Sequence, residues 1–263
     1  MTFTNKTVWI TGASSGIGEA LAYEFAKLGA KLILSARREK ELGRVREACE
    51  NSEQHIIVPL DLAVNTEFQN LVDSVVSNVG KIDLLINNAG LSQRAPVLDT
   101  QLSVHRRLME INYLGTVALS QALLPHLVAN KSGGIVTVSS LVGKFTTPLR
   151  SAYSASKHAI TAYMDSLRAE LSGTGVQFMT VYPGFIKTNI TYKALLADGS
   201  EQNKMDDAQN NGMDASVCAK KIIKAYLAKK DEAFIGGKET YAVYIKRFLP
   251  KIFARMIRKA KVT

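Results

Sequence analysis

The chain has 263 residues, of which 46% are hydrophobic and 21% charged, and carries a formal net charge of +10. That length is at the upper edge for a single hydrophobic core and suits an α/β sheet covered on both faces. No apolar run reaches the about 18 residues that a spanning helix needs. Two distant cysteines, Cys49 and Cys218, and four scattered histidines argue against a disulfide framework and against a Cys/His metal site.

Residues 1–6 run straight into the first apolar segment, which leaves no room for a signal peptide and leads us to expect a cytoplasmic protein. Strands are predicted at 8–11, 31–35, 55–60, 82–86, 135–139, 176–181 and 233–235. Helices are predicted near 16–28, 38–50, 65–79, 103–129, 153–172 and 214–229. Such alternation demands crossover connections, and so a parallel sheet with helices on both sides. The expected fold is a single α/β Rossmann-type doubly wound domain of about seven parallel strands, over 1–240, with a basic amphipathic extension of the same domain over 241–263. The polar stretch 198–211 lacks periodicity; a substrate lid and an inert surface loop are both open readings.

The first strand ends in Gly12-Ala13-Ser14-Ser15-Gly16-Ile17-Gly18, and a helix follows at once. Strand, glycine turn and helix are the context of a dinucleotide site. The glycines let the backbone approach a diphosphate, and the helix N-terminus offers unpaired N–H groups and the positive end of its dipole.

Tyr-x-x-x-Lys occurs three times, at Tyr23–Lys27, Tyr153–Lys157 and Tyr226–Lys230. Only Tyr153 follows a buried-strand pattern that ends in Ser139-Ser140. Residues four apart on a helix lie about 6 Å from each other at Cβ, so the Lys157 ammonium is placed beside the Tyr153 phenol. A free phenol titrates near ~10. A neighbouring cation draws it down, towards values useful for acid–base catalysis.

Together with Asn87-Asn88-Ala89-Gly90, Asn112, and Tyr182-Pro183-Gly184 with Thr188, these motifs resemble the short-chain dehydrogenase/reductase family in its roughly 250-residue subtype. GAKLILSARR, RSAYSASKHA and the PGFIKTN stretch look like the branch of membrane-associated reductases related to 11β-hydroxysteroid dehydrogenases. The resemblance implies that Tyr153 carries the proton and Lys157 lowers its pKa and holds the nicotinamide ribose. It makes Ser140, rather than Ser139, the residue that orients the carbonyl, and has Asn112 hold a relay water; a helix-kinking asparagine is the plainer reading of Asn112. Gly12, Ser14, Ser15, Gly16, Ile17 and Gly18 would cradle the cofactor. Asp61 and Leu62 would contact adenine, Asn88, Ala89 and Gly90 would support the central strand and the cofactor, and Pro183, Gly184, Ile186 and Thr188 would lie by the nicotinamide.

NADP(H) is the expected cofactor. The second strand is followed by Ala36-Arg37-Arg38, with no carboxylate before Glu39 to receive a free ribose hydroxyl. A guanidinium pairs with phosphate through its planar fork, so Arg37 is the expected clamp, with Ser14 and Arg38 assisting. Leu141, Val142, Phe185 and Tyr192 suggest, with Ser140 and Tyr153, a pocket for a hydrophobic carbonyl or alcohol. The alternative function is a catalytically idle cofactor sensor or scaffold, but all four catalytic positions are retained.

All of the net charge lies in residues 220–263, which hold 13 basic and 3 acidic side chains. There Tyr241, Tyr244, Ile245, Phe248, Leu249, Ile252, Phe253, Met256 and Ile257 recur at helical spacing, interrupted by Pro250. A basic amphipathic helix suits an anionic membrane surface; packing on the domain or on a second subunit is equally open. The other expected partners are further copies of the chain, as homodimer or homotetramer. Nucleic acid is not expected, because no aromatic-studded strand or zinc pattern accompanies the charge.

Overall fold

The computed structural model describes residues 2–64 and 67–260. The start of the helix expected near 65 and the last residues of the extension, 261–263, lie outside these.

The elements follow the alternation of the sequence. They run β1 (Thr7–Thr11), α1 (Gly16–Lys27), β2 (Lys31–Ser35), α2 (Glu39–Glu47), β3 (Ile56–Ile57), α3 (Phe68–Val79), β4 (Leu84–Asn87) and α4 (Leu102–Met109). Next come α5 (Gly115–Ala129), β5 (Gly134–Val138), α6 (Ser151–Glu170), β6 (Gln177–Pro183), β7 (Ile186–Lys187), α7 (Asp207–Asn210), β8 (Met213–Asp214), α8 (Ala215–Leu227) and β9 (Glu232–Ile235). The C-terminal pair is α9 (Tyr241–Phe248) and α10 (Pro250–Ile257).

Seven strands form one sheet in the order β3-β2-β1-β4-β5-β6-β9, all parallel. Their side chains are buried almost throughout, as expected of strands covered on both faces. One apolar layer gathers Leu21, Phe25, Leu34, Ile86, Val181 and Ile222 beneath α1 and α8. The other gathers Trp9, Val72, Leu85, Leu119, Ile135 and Met164 beneath α3, α5 and α6. Burial of such side chains stabilises by about 1.5–3 kcal/mol each, and both layers draw on the same strands. The strand order reverses between β1 and β4, which opens a crevice at the C-terminal ends of the strands.

Three local features depart from the predicted elements. The third strand is regular only over Ile56–Ile57 rather than 55–60, although Val58 and Leu60 still donate to Leu34 and Ala36 of the β2 side. The single helix expected over 103–129 is α4 and α5 joined by a π-helical turn, Glu110–Leu114, that contains Asn112. The stretch 198–211 is held by bonds such as Gln202 N to Ala194 O, 2.8 Å, and ends in α7, and β7 pairs with β8 just beyond it.

Pro250 divides the C-terminal extension, occupying the first turn of α10, where its missing N–H costs nothing. The apolar side chains expected on one face fall on two. Phe253 and, less fully, Ala242, Val243, Ile245 and Ile257 pack on the domain, whereas Tyr241, Tyr244, Phe248, Leu249, Ile252 and Met256 are exposed.

Candidate active site

A cleft of about 540 Å³ runs along the strand ends from α2 to α6. Its floor is the β1–α1 turn. Gly12 has φ +66°, and a Cβ there would lie 2.8 Å from Ala89 Cα, so only glycine fits this backbone approach. Ser15, at the N-cap of α1, makes no side-chain cap bond, and the helix N-terminus faces the cleft. Asn88 supports this turn from β4: its Nδ2 donates to Thr11 O at 3.1 Å and Gly12 O at 3.3 Å. Gly18 does not line the cleft; it packs against the Gly12 carbonyl and the Asn88 amide, so its role is close helix–turn approach.

At the α2 end, Arg37 and Arg38 are exposed, and Arg38 Nη2 donates to Ser14 Oγ at 3.3 Å. Lys193, which sequence reasoning missed, joins them; burial, then Arg38, with Arg37 adding a smaller push, hold its ammonium below the usual lysine range. Among the described residues, none of these three cations pairs with a carboxylate within 4.0 Å. A group of cations left to water is what an incoming phosphate would neutralise. Asp61, whose Oδ1 accepts from Ala63 N at 3.0 Å, and Leu62 lie on the adjoining wall.

At the α6 end stand Ser140, Tyr153 and Lys157. β5 delivers Ser139 and Ser140, and these point differently. Ser139 Oγ is turned inward, donating to Lys157 O at 3.1 Å and meeting Thr161 Oγ1 at 3.3 Å. The Ser140 hydroxyl and the Tyr153 phenol line the same end of the cleft. Burial pushes that phenol up; the Arg150 guanidinium, the nearby Ser140 hydroxyl and the Arg94 guanidinium pull it back. Lys157 Nζ lies 5.9 Å from the Tyr153 ring centroid and donates to Val138 O at 2.9 Å. With no carboxylate to offset desolvation, its pKa is drawn down to about 8.

The other two Tyr-x-x-x-Lys pairs lie outside the cleft. The Tyr23 phenol, half-buried and bonded to Glu19 at 2.7 Å, is pushed up to about 12. That of Tyr226 also rises to about 12, through burial and then Asp83.

Asn112 stands behind the cleft. Its Oδ1 accepts from Leu91 N at 2.8 Å, and its Nδ2 donates to Leu91 O and Ser156 Oγ, both at 3.0 Å. It therefore braces α6 and the segment after Gly90.

Of the apolar substrate candidates, none lines the cleft. Leu141 and Val142 turn inward with the short 3₁₀ turn after Ser140 and pack with Phe145, Tyr182 and Phe253. Phe185 is half-buried, its N–H donating to Glu239 Oε1 at 3.1 Å, and Tyr192 is exposed. The periodicity marked these side chains as apolar but gave no sense of which way a turn would aim them. The reacting end instead holds two buried arginines, Arg94 and Arg150, which no motif singled out.

The sequence model described as short chain dehydrogenase matches residues 6–198. The chain belongs to this family. Among curated relatives it is 42% identical to a dehydrogenase/reductase SDR family protein 7-like of Anopheles gambiae, over 97% of this chain and 82% of that one. It is 40% identical to human dehydrogenase/reductase SDR family member 7, over 94% and 75%. Within the family it therefore groups with the family 7 proteins. A short-chain dehydrogenase from Burkholderia cenocepacia, solved in complex with NADP, superposes with a TM-score of 0.81 at 25% identity, over 99% of this chain and 100% of that one. A family structure from Burkholderia phymatum, in complex with NAD, gives 0.84 at 23% identity, over 100% and 99%, a likeness of fold.

Proposed function

We propose that the protein is an NADP(H)-dependent oxidoreductase that interconverts an apolar ketone or aldehyde and its alcohol. The observation that carries this reading is one cleft with Tyr153, Ser140 and Lys157 at one end and Arg37, Arg38 and Lys193 at the other.

The residues present fit the dinucleotide. The turn from Gly12 to Ile17 and the N-terminus of α1 would hold its diphosphate. Arg37, Arg38, Ser14 and Lys193 would hold the 2′-phosphate, and Asp61 and Leu62 the adenine. Asn88, Ala89 and Gly90 line the cleft beside that turn; Lys157 would take the ribose, and Pro183, Gly184, Ile186 and Thr188 the nicotinamide. The chemistry that a bound nicotinamide would supply is hydride to the carbonyl carbon, or hydride acceptance from the alcohol carbon.

The chain's own side chains do the rest. Ser140 and Tyr153, which line the same end of the cleft, would both turn their hydroxyls to the substrate oxygen. Tyr153 delivers its proton to that oxygen in reduction and removes it in oxidation. Arg150 and Arg94 favour the phenolate left behind. Reprotonation runs past the Lys157 ammonium, and the π-helical turn at Asn112 supplies a place for the relay water.

From the likeness to the 11β-hydroxysteroid branch we carry only the apolar character of the substrate. The exposed row Tyr241, Tyr244, Phe248, Leu249, Ile252 and Met256 we assign to an anionic lipid surface. Residues 241–260 contain six Lys and Arg and no Asp or Glu, so a second copy of this face would meet like charge.

The test is cofactor titration followed by turnover with a panel of apolar ketones. Preferred binding of NADPH and its consumption with at least one ketone is the expected result. Binding without turnover across the panel would favour the idle sensor.

A further inference from the structure

The helix that carries Tyr153 begins without a cap of its own. Arg150, its N-cap residue, has no side-chain oxygen to accept from the first free N–H groups of α6, and makes no side-chain cap bond. The acceptor comes instead from elsewhere in the chain. Gln93 Oε1 accepts from Ala152 N at 2.8 Å and from Tyr153 N at 3.2 Å, the second and third residues of the helix, where a capping side chain normally bonds. Gln93 is fully buried, and its Nε2 donates to Thr100 Oγ1 at 3.1 Å, so its amide is fixed at both ends.

The main chain around Gln93 is in turn tied to the segment after β7. Leu195 N donates to Ser92 O and Arg94 N to Leu195 O, both at 2.9 Å. Arg94 Nη1 donates to Gln93 O at 2.6 Å, and Arg94 Nε donates to Asp206 Oδ2 at 2.7 Å. The Arg94 and Asp206 side chains are each only 3% exposed, so this ion pair is shielded from water. Gln202 Nε2 donates to Asp206 Oδ1 at 3.0 Å, which fixes the far end of the same segment. Lys193, within that segment, lines the cleft.

We propose that Gln93 is the positioning residue for Tyr153, and that the Arg94–Asp206 pair makes the placement of the phenol depend on the closed state of residues 188–206. This rests on the reading of Tyr153 as proton carrier. A displaced reacting group costs turnover far more than binding, so loss of the brace should lower kcat and leave cofactor affinity alone.

Two measurements on the intact chain test it. In steady-state kinetics, Gln93→Met and Asp206→Asn each lower kcat by roughly 10- to 100-fold, and in Gln93→Met, which leaves the Lys193 segment untouched, the dissociation constant for NADPH stays within about 2-fold of the unmodified protein. The double variant loses no more than the worse single one, because both break one path. In amide exchange followed by NMR, the N–H groups of Ala152 and Tyr153 exchange faster in Asp206→Asn, while those of Ile135 and Val136 in β5 do not. The exchange readout needs no turnover and no substitution at Gln93, so it stands even if the proton-carrier reading fails or Gln93→Met does not fold. Unchanged exchange at Ala152 and Tyr153 would overturn the coupling; a normal kcat for Gln93→Met, or kcat losses that multiply in the double variant, would overturn the positioning role.

Discussion

The Ser140 hydroxyl favours the ionised form of the Tyr153 phenol across the gap between the end of β5 and the first turn of α6. A strand end and a helix start thus bring to one point two hydroxyls that can share a substrate oxygen. The cations that draw the buried phenol towards its ionised form are Arg150 first and Arg94 second.

Removing Arg150 therefore has a definite sign. Without its positive charge the phenolate is less favoured and the Tyr153 pKa rises further. In Arg150→Met the alkaline limb of ketone reduction, which needs the protonated phenol, moves to higher pH, and the acidic limb of alcohol oxidation moves the same way. A pH–rate profile in both directions checks this; limbs that stay put would show that Arg150 does not act on Tyr153.

Lys157 leaves a mark on stability. Its pKa in the fold is about 8, against 10.5 for an unperturbed lysine. Between these values the unfolded chain binds a proton that the folded chain has released, so stability rises with pH. The contribution is full above 10.5 and is lost as pH falls through about 8. The size is roughly 3 kcal/mol from the shift. Denaturant unfolding without cofactor, compared between the unmodified protein and Lys157→Met, should show the unmodified protein gaining on the variant across this window. A difference that is constant with pH would place the Lys157 pKa near its ordinary value.

Cofactor choice should rest on Arg37, Arg38 and Lys193 together. Hydrogen bonds to charged groups are worth about 1.5–3 kcal/mol, so Lys193→Met should weaken NADPH roughly 10- to 100-fold and leave NADH unaffected. Ala36→Asp combined with Arg37→Leu should reverse the preference. Titration of both cofactors against each protein decides. Equal loss for NADH and NADPH in Lys193→Met would remove Lys193 from the 2′-phosphate corner.

The C-terminal helices should bind vesicles rich in anionic lipid and release them as salt is raised. Each basic side chain near such a surface contributes roughly 1 kcal/mol. Phe248, which is 73% exposed, should matter, whereas Phe253, packed edge-on against Phe145 at 5.4 Å, should affect folding instead. Sedimentation with Phe248→Asp and Ile252→Asp against the unmodified chain separates these roles. Equal binding to neutral and anionic vesicles, or none, would refute the assignment.

Most of the framework was legible because buried parallel strands and amphipathic helices leave strong patterns, and because the glycine turn and Tyr153–Lys157 lie in short contiguous motifs. What escaped depends on long-range geometry. Lys193 reaches the Arg37–Arg38 corner only because the segment after β7 folds back over the cleft. Arg94 and Gln93 gain meaning from Asp206, 112 residues away from Arg94, and from the uncapped start of α6. A glutamine two residues beyond Leu91 carries no local sign that it caps a helix far along the chain. The apolar row of 241–257 was visible as one face, but its division at Pro250 into packed and exposed sets was not.

The central claim is that Tyr153 carries the proton in an NADPH-dependent carbonyl reduction. The most direct measurement is NADPH consumption, with a ketone the unmodified protein turns over, by Tyr153→Phe. This change removes one hydroxyl and leaves the buried ring, so fold and NADPH binding should persist. General acid–base groups contribute about 10²–10⁴-fold, and a fall in kcat of that order is the expected result. Near-normal turnover by a folded, NADPH-binding Tyr153→Phe protein would contradict it.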